Sequence, residues 1–224
     1  MQKSIEKSYQ IEWPGWSLSD NKYGKEFDAE ARIRMIETGR KLLPYLLDNS
    51  AIFGENFLEI GPFFTPILFS EELQNYLPKN HNINFLENDQ NVINWLSEKF
   101  RCFIFKLNID STTFFHDLTQ KMTAQFGYYK DFYDVVTMSQ IVNYVDYKQL
   151  LTSLFPMLNK EGYIFLNNVV DYGIPILFSE QRPKSNQEII DTAKAIGYKI
   201  YYKEEQPKMF DEEPNKRLIL ILSK

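Results

Sequence analysis

From Gly54 onward the chain alternates short apolar runs with amphipathic helical stretches, and this rhythm restricts the possible folds more than any other feature. Phe57–Ile60, Ile83–Glu87, Cys102–Leu107, Phe132–Met138 and Tyr163–Leu166 each read as a strand. The intervening segments 67–77, 92–100, 114–126 and 147–158 carry apolar residues at three- and four-residue spacing, the signature of helices packed on one side. Asp89 is placed to cap the helix that carries Val92, Ile93, Leu96 and Phe100 on one stripe. A further helix, Gln187–Ile196, ends at Gly197, and two β-rich segments close the chain at Tyr198–Lys203 and Arg217–Leu222. Repeated strand–helix alternation implies a mainly parallel sheet with helices on both faces, and two adjacent final strands imply an antiparallel hairpin. Ligands of such sheets lie beyond the carboxyl ends of the strands.

The segment before this alternation is different in kind. Trp13, Trp16, Tyr9 and Tyr23 crowd a stretch that Pro14 and Gly15 interrupt, and a helical pattern then runs from Glu26 to Leu47, with Pro44 as a point of kinking. Residues 1–50 are therefore read as an aromatic, helical cap or lid, and 51–224 as the sheet domain. Large aromatics commonly serve to pack a helix onto a sheet, so a lid over a ligand is one of two roles open to them.

Composition excludes several classes of function. Of the 224 residues, 44% are hydrophobic, which provides for a packed core and argues against disorder. A formal charge of -5 with no run of five like charges gives no support to nucleic-acid binding. Cys102 is the only cysteine, so neither an internal disulfide nor a thiolate metal cluster is expected. The polar first ten residues lack the apolar stretch of a signal peptide, and no uncharged apolar run approaches the ~18 residues of a membrane span. A cytoplasmic protein is the expectation.

Two segments bear on chemistry. In FLEIGPFFTP, Phe57–Pro66, Gly61 stands at the carboxyl edge of the first strand, where a glycine permits unusual backbone angles and a close approach. A plain strand-to-turn Gly-Pro would read the same way. Glu87 ends the second strand, 26 residues after Gly61, where a carboxylate can accept hydrogen bonds from both ribose hydroxyls of a nucleoside.

Over Phe57–Lys224 the chain resembles the class I S-adenosylmethionine-dependent methyltransferases, whose Rossmann-like, doubly wound α/β fold has seven strands. FLEIGPFFTP resembles that family's first motif, INFLENDQNVINWL the second and FKLNIDST the third. FYDVVTMSQIVNYVDYKQLLTSLFPMLNKEGYIFL resembles the segment spanning strands four and five. The resemblance implies S-adenosyl-L-methionine as cofactor. Glu59, Gly61 and Pro62 would border its methionine part, Glu87 would hold the ribose, Asn88 would flank the adenine, and Asp110 with Ser111 would meet the adenine amino group. Ser139 and Gln140 would line the sulfonium and the substrate entrance.

The family's second and third motif glycines fall here at Phe63 and Thr65, which leaves less room at the backbone. That also disfavours a dinucleotide, whose pyrophosphate needs a close approach to a helix N-terminus.

Methyl transfer from a sulfonium needs alignment more than covalent help. His116, following the third motif, is a candidate base should the acceptor have to lose a proton, although a lone His is more often structural or exposed. His81, in a polar turn on the opposite edge, reads as solvent-exposed. Tyr144, Asp171 and Tyr172 follow strands four and five, where acceptor contacts arise in this fold, and Trp13, Trp16 and Tyr23 join them if the first segment is a lid. Asn167, Asn168 and Asp171 only faintly echo the acidic set of metal-dependent members, so no metal is expected. The expected activity is methylation of a small molecule, on oxygen first and nitrogen next. The alternatives are a peptide methyltransferase, with Asp211, Glu212 and Glu213 lining an acidic groove, and a catalytically silent interaction subunit with a depleted glycine loop. A homodimer through the aromatic N-terminus is compatible with each.

Overall fold

The computed structural model describes residues 37–173, 179–211 and 213–224. The aromatic segment with Trp13, Trp16 and Tyr23 lies outside the described residues. Residues 37–40 are helical, and after a turn at 41–42 a second helix, α1, covers Leu43–Asp48 with Pro44 in its first turn. The helical pattern up to Leu47 is thus interrupted just before Pro44, the expected point of kinking. Proline has no N–H to give and its ring crowds the carbonyl four residues back, so the helix restarts with the proline where it is tolerated.

The alternation then unfolds as the pattern predicts: β1 (Asn56–Ile60), α2 (Glu71–Gln74), β2 (Asn82–Glu87), α3 (Gln90–Lys99), β3 (Phe103–Lys106), α4 (Phe114–Phe126), β4 (Tyr133–Ser139), α5 (Tyr147–Met157), β5 (Leu158–Asn168), α6 (Asn186–Ile196), β6 (Lys199–Gln206) and β7 (Arg217–Ser223). The seven strands form one sheet in the order β3-β2-β1-β4-β5-β7-β6. β1 to β5 run parallel, while β7 lies antiparallel between β5 and β6. This is the doubly wound sheet with a terminal antiparallel hairpin.

Successive side chains of a strand face opposite sides, and here both sides are covered. Leu58, Ile60, Val136 and Met138 pack with Leu118 of α4, Leu150 of α5 and Ile190 of α6. Phe57, Phe85, Val135 and Phe165 pack on the other face with Leu46 of α1 and Val92 and Leu96 of α3. Asp89 caps α3 as its position suggests, accepting from the amides of Asn91 and Val92. Asp146 does the same for α5 and Ser185 for α6.

One expected helix is absent. In place of a continuous helix over 67–77 there is a 3-10 turn, Ile67–Phe69, then extended Ser70, then the single turn of α2. Among the described residues no helix is long and apolar enough to cross a membrane, and no group of three or more His, Cys, Asp or Glu is placed to hold a metal ion.

Candidate functional site

The carboxyl ends of β1 to β5 and the loops that leave them form the candidate site. At the end of β1, Gly61 has φ +61°, and its amide donates to the Leu86 carbonyl at 2.9 Å. A side chain at Gly61 would lie 2.0 Å from Cδ1 of Ile141, in the loop after β4. The close approach that requires a glycine is therefore made by the protein's own Ile141. Phe63, at the second glycine position, keeps a left-handed backbone (φ +51°), a conformation that costs a non-glycine residue about 1–2 kcal/mol. Its ring packs edge-on against Phe64, which is itself buried against Trp95.

Glu59 is buried at 5% exposure, and its two carboxylate oxygens accept from the amides of Ile67 (2.8 Å) and Leu68 (3.0 Å). Those amides lie in the first turn of the segment expected to be helical, where a helix offers them no partner of its own, and the carboxylate 8 and 9 residues earlier satisfies them as a cap would. Glu59 thus shapes the loop from below. Burial pushes its carboxyl up to about 7, against the opposing effect of the two amides. With the folded value above the unfolded one, the native state holds the extra proton between about pH 4.5 and pH 7, so stability falls as pH rises through that window. Glu59→Gln, which cannot ionise, is expected to flatten this slope. Denaturant unfolding of both proteins at pH 5 and pH 8 measures it, and equal slopes would refute it.

At the end of β2 the Glu87 carboxylate is held beside this loop. Its Oε1 accepts from the amides of Asn88 (2.7 Å) and Asp89 (3.0 Å). Burial raises its pKa, offset in part by those two amides and by the amide of Phe63. Asn88 is exposed next to it.

The loop after β3 is fastened to the start of α5. Asp110 is exposed and its Oδ1 accepts from the Asp146 amide at 2.8 Å, while the Gln149 side chain donates to the carbonyls of Ile109 and Ser111. Ser111 Oγ faces Thr113 Oγ1 at 2.9 Å. One oxygen of Asp110 is therefore engaged in holding two loops together. His116 sits exposed in the first turn of α4. His81 is half-buried rather than open to solvent, with Nδ1 2.7 Å from the Pro78 carbonyl and its ring edge-on to Phe57.

Past β4, Ser139 Oγ accepts from Asn167 Nδ2 at 3.0 Å. Gln140 adopts φ +60°, its amide donates to the Asn167 carbonyl, and its Oε1 accepts from the Val169 amide and the Tyr172 hydroxyl. Burial raises the Tyr172 pKa. Tyr144 and Asp171 are half-buried at the same rim, and Asp171 Oδ1 accepts from the Gly173 amide. The structure thus brings Gly61, Glu87, Ser139 and Gln140 to one edge, with Tyr144, Asp171 and Tyr172 beside them.

A residue that the sequence reading missed, Arg217, lies at the same end, with Glu213 in a role other than the one expected of it. Arg217 and Glu213, each 1% exposed, form a buried ion pair at 2.8 Å, and Arg217 also donates to Asn167. Glu213 is therefore unavailable to an open acidic groove. A lone arginine opening the apolar run RLILILS, with a glutamate four residues before it, was the available signal.

No protein-family model matches the sequence, and no curated protein matches it. Solved structures match in fold. A methyltransferase from Clostridium acetobutylicum described as S-adenosylmethionine-dependent aligns with a TM-score of 0.58 at 11% identity, over 88% of this chain and 95% of its own. A SAM-dependent methyltransferase from Archaeoglobus fulgidus aligns at 0.57 and 13% identity, over 87% and 99%. A glycopeptide N-methyltransferase complexed with S-adenosyl-L-methionine aligns at 0.54 and 10% identity, over 83% and 93%. The chain has the fold of these enzymes.

Proposed function

We propose that the chain is an S-adenosylmethionine-dependent methyltransferase acting on a small-molecule acceptor, by O-methylation in the first instance and N-methylation next. The observation that carries this reading is the Glu87 carboxylate at the end of β2, beside the Gly61 turn, within a fold shared with such enzymes. A carboxylate offers about four lone-pair sites and donates nothing. The amides of Asn88, Asp89 and Phe63 act on it, and a ribose diol presents the O–H donors that suit the remainder. The residues present therefore fit the cofactor.

In this reading Glu87 holds the ribose and Asn88 flanks the adenine, with Asp110 and Ser111 at its amino group. Glu59 sets the shape of the loop, Gly61 and Pro62 border the methionine part, and Ser139 and Gln140 line the approach to the acceptor. Bound, the sulfonium supplies an activated methyl group. The chain contributes alignment, and His116 is the candidate proton acceptor where the methylated atom carries a proton. Tyr144, Asp171 and Tyr172, together with Trp13, Trp16 and Tyr23 of a cap over 1–50, supply acceptor contacts. Function in the cytoplasm accords with a single cysteine. The acceptor atom follows from analogy with compact members of this fold.

Calorimetric titration of S-adenosylmethionine and S-adenosylhomocysteine into the protein tests the reading. Micromolar binding is the expected outcome. A chain that binds neither is not a methyltransferase, and the departure at Phe63 and Thr65 then favours an interaction subunit.

A further inference from the structure

At the carboxyl ends of β4 and β5 one side-chain amide is fixed by partners that can each play a single role. Asn167 is 1% exposed and stands opposite Ser139 in the parallel register. Arg217 Nη1 donates to its Oδ1 at 2.9 Å, and a guanidinium has only donors, so the amide oxygen must face it. The Thr38 carbonyl only accepts, and Asn167 Nδ2 reaches it at 2.6 Å. Both partners demand the same orientation. The remaining Nδ2 proton goes to Ser139 Oγ. Ser139 therefore accepts in this network, and among the described residues nothing takes its own hydroxyl hydrogen.

Arg217 is itself held from behind. Its Nη2 donates to Glu213 Oε1 at 2.8 Å, and the other Glu213 oxygen accepts from the Met209 amide at 2.9 Å. A fully buried ion pair rarely stabilises a fold more than apolar residues of the same size would. Its presence here, two residues by diagonal from the strand end that carries Asn167, points to a role other than stability. A guanidinium suits that role because its fork presents parallel N–H groups to two acceptors at once.

We propose that Arg217 is a positioning residue: by fixing the Asn167 amide it keeps the Ser139 hydroxyl free to donate to a ligand bound over β4. The ligand half of this inference rests on the S-adenosylmethionine reading above; the orientation half does not.

The test uses Arg217→Lys, which retains the charge facing Glu213 but not the fork. Its first readout is the solvent exchange of the Asn167 side-chain NH2 in ligand-free protein by NMR. Exchange at least about tenfold faster than in the wild type is expected. Its second readout is S-adenosylhomocysteine affinity in a cycle with Ser139→Ala. Each single variant is expected to bind about tenfold more weakly, and the double variant no more weakly than Ser139→Ala alone, since Arg217 acts through Ser139. Unchanged Asn167 exchange in folded Arg217→Lys, or losses that multiply in the double variant, would overturn the proposal. Should Arg217→Lys fail to fold, Glu213→Gln with Arg217→Met removes both charges together and is expected to give the same two results. A wild type that fails to bind, with Asn167 exchange still responding to Arg217, supports the orientation half and overturns the ligand half.

Discussion

Glu87→Ala is expected to weaken S-adenosylhomocysteine binding by about tenfold to a hundredfold. A hydrogen bond to a charged group contributes about 1.5–3 kcal/mol, and the three amides leave Glu87 one lone pair for the ribose. Its loss is about one to two decades in Kd. The substitution leaves the start of α3 in place, because Asp89, not Glu87, caps that helix. It does release the amides of Asn88 and Asp89 at the edge of the site, where water can replace the carboxylate, so the melting temperature is expected to fall by only a few degrees. Glu87→Gln separates shape from charge: its amide keeps one acceptor but turns an N–H toward groups that also donate, and it is expected to lie nearer the alanine variant than the wild type. Calorimetry on folded protein decides the matter. An affinity within threefold of wild type in Glu87→Ala removes the ribose from this carboxylate, whatever else binds.

The parts of the molecule that were legible in the sequence are those decided within one element. Phe114–Phe126 follows from its own spacing, Asp89 caps the helix that begins at the next residue, and a run such as ILILS reads as a buried strand without knowledge of its neighbours. The misreadings share the opposite property. The stretch 67–77 has a helical pattern, yet Ser70 runs extended within it, and the amides of Ile67 and Leu68 are tied to Glu59 of β1. No local propensity reports that tie. Asn167 finds Thr38 and Arg217 at separations of 129 and 50 residues, and the Arg217–Glu213 pair is visible in sequence only as charge beside an apolar strand. Gly61 was identified at the right place, and for the right backbone geometry, but its neighbour 80 positions onward was hidden. The candidate site is thus readable where it consists of strand ends, and unreadable where distant side chains meet across the sheet.

Gly61→Ala is expected to cost about 3 kcal/mol, and the origin of that cost decides why the glycine is there. A left-handed backbone contributes about 1–2 kcal/mol for any L side chain. The rest comes from overpacking, since the new Cβ would fall 2.0 Å from Ile141 Cδ1 and 3.0 Å from its Cγ1. In a protein of this size the sum lowers Tm by about 6–12 °C. Ile141→Val removes Cδ1 and alone costs about 0.5–1.5 kcal/mol. Combined with Gly61→Ala it is expected to recover the overpacking part, so that the double variant is more stable than additivity predicts by about 1 kcal/mol. Additive losses would mean that Ile141 swings aside freely and that backbone strain accounts for the whole effect. The folded double variant then separates packing from binding. If it still binds S-adenosylhomocysteine, the glycine serves the contact with Ile141, and the substitutions at Phe63 and Thr65 are tolerated because the ligand does not press on this backbone. If it is folded but binds nothing, the ligand and Ile141 need the same small space, and Gly61 serves both.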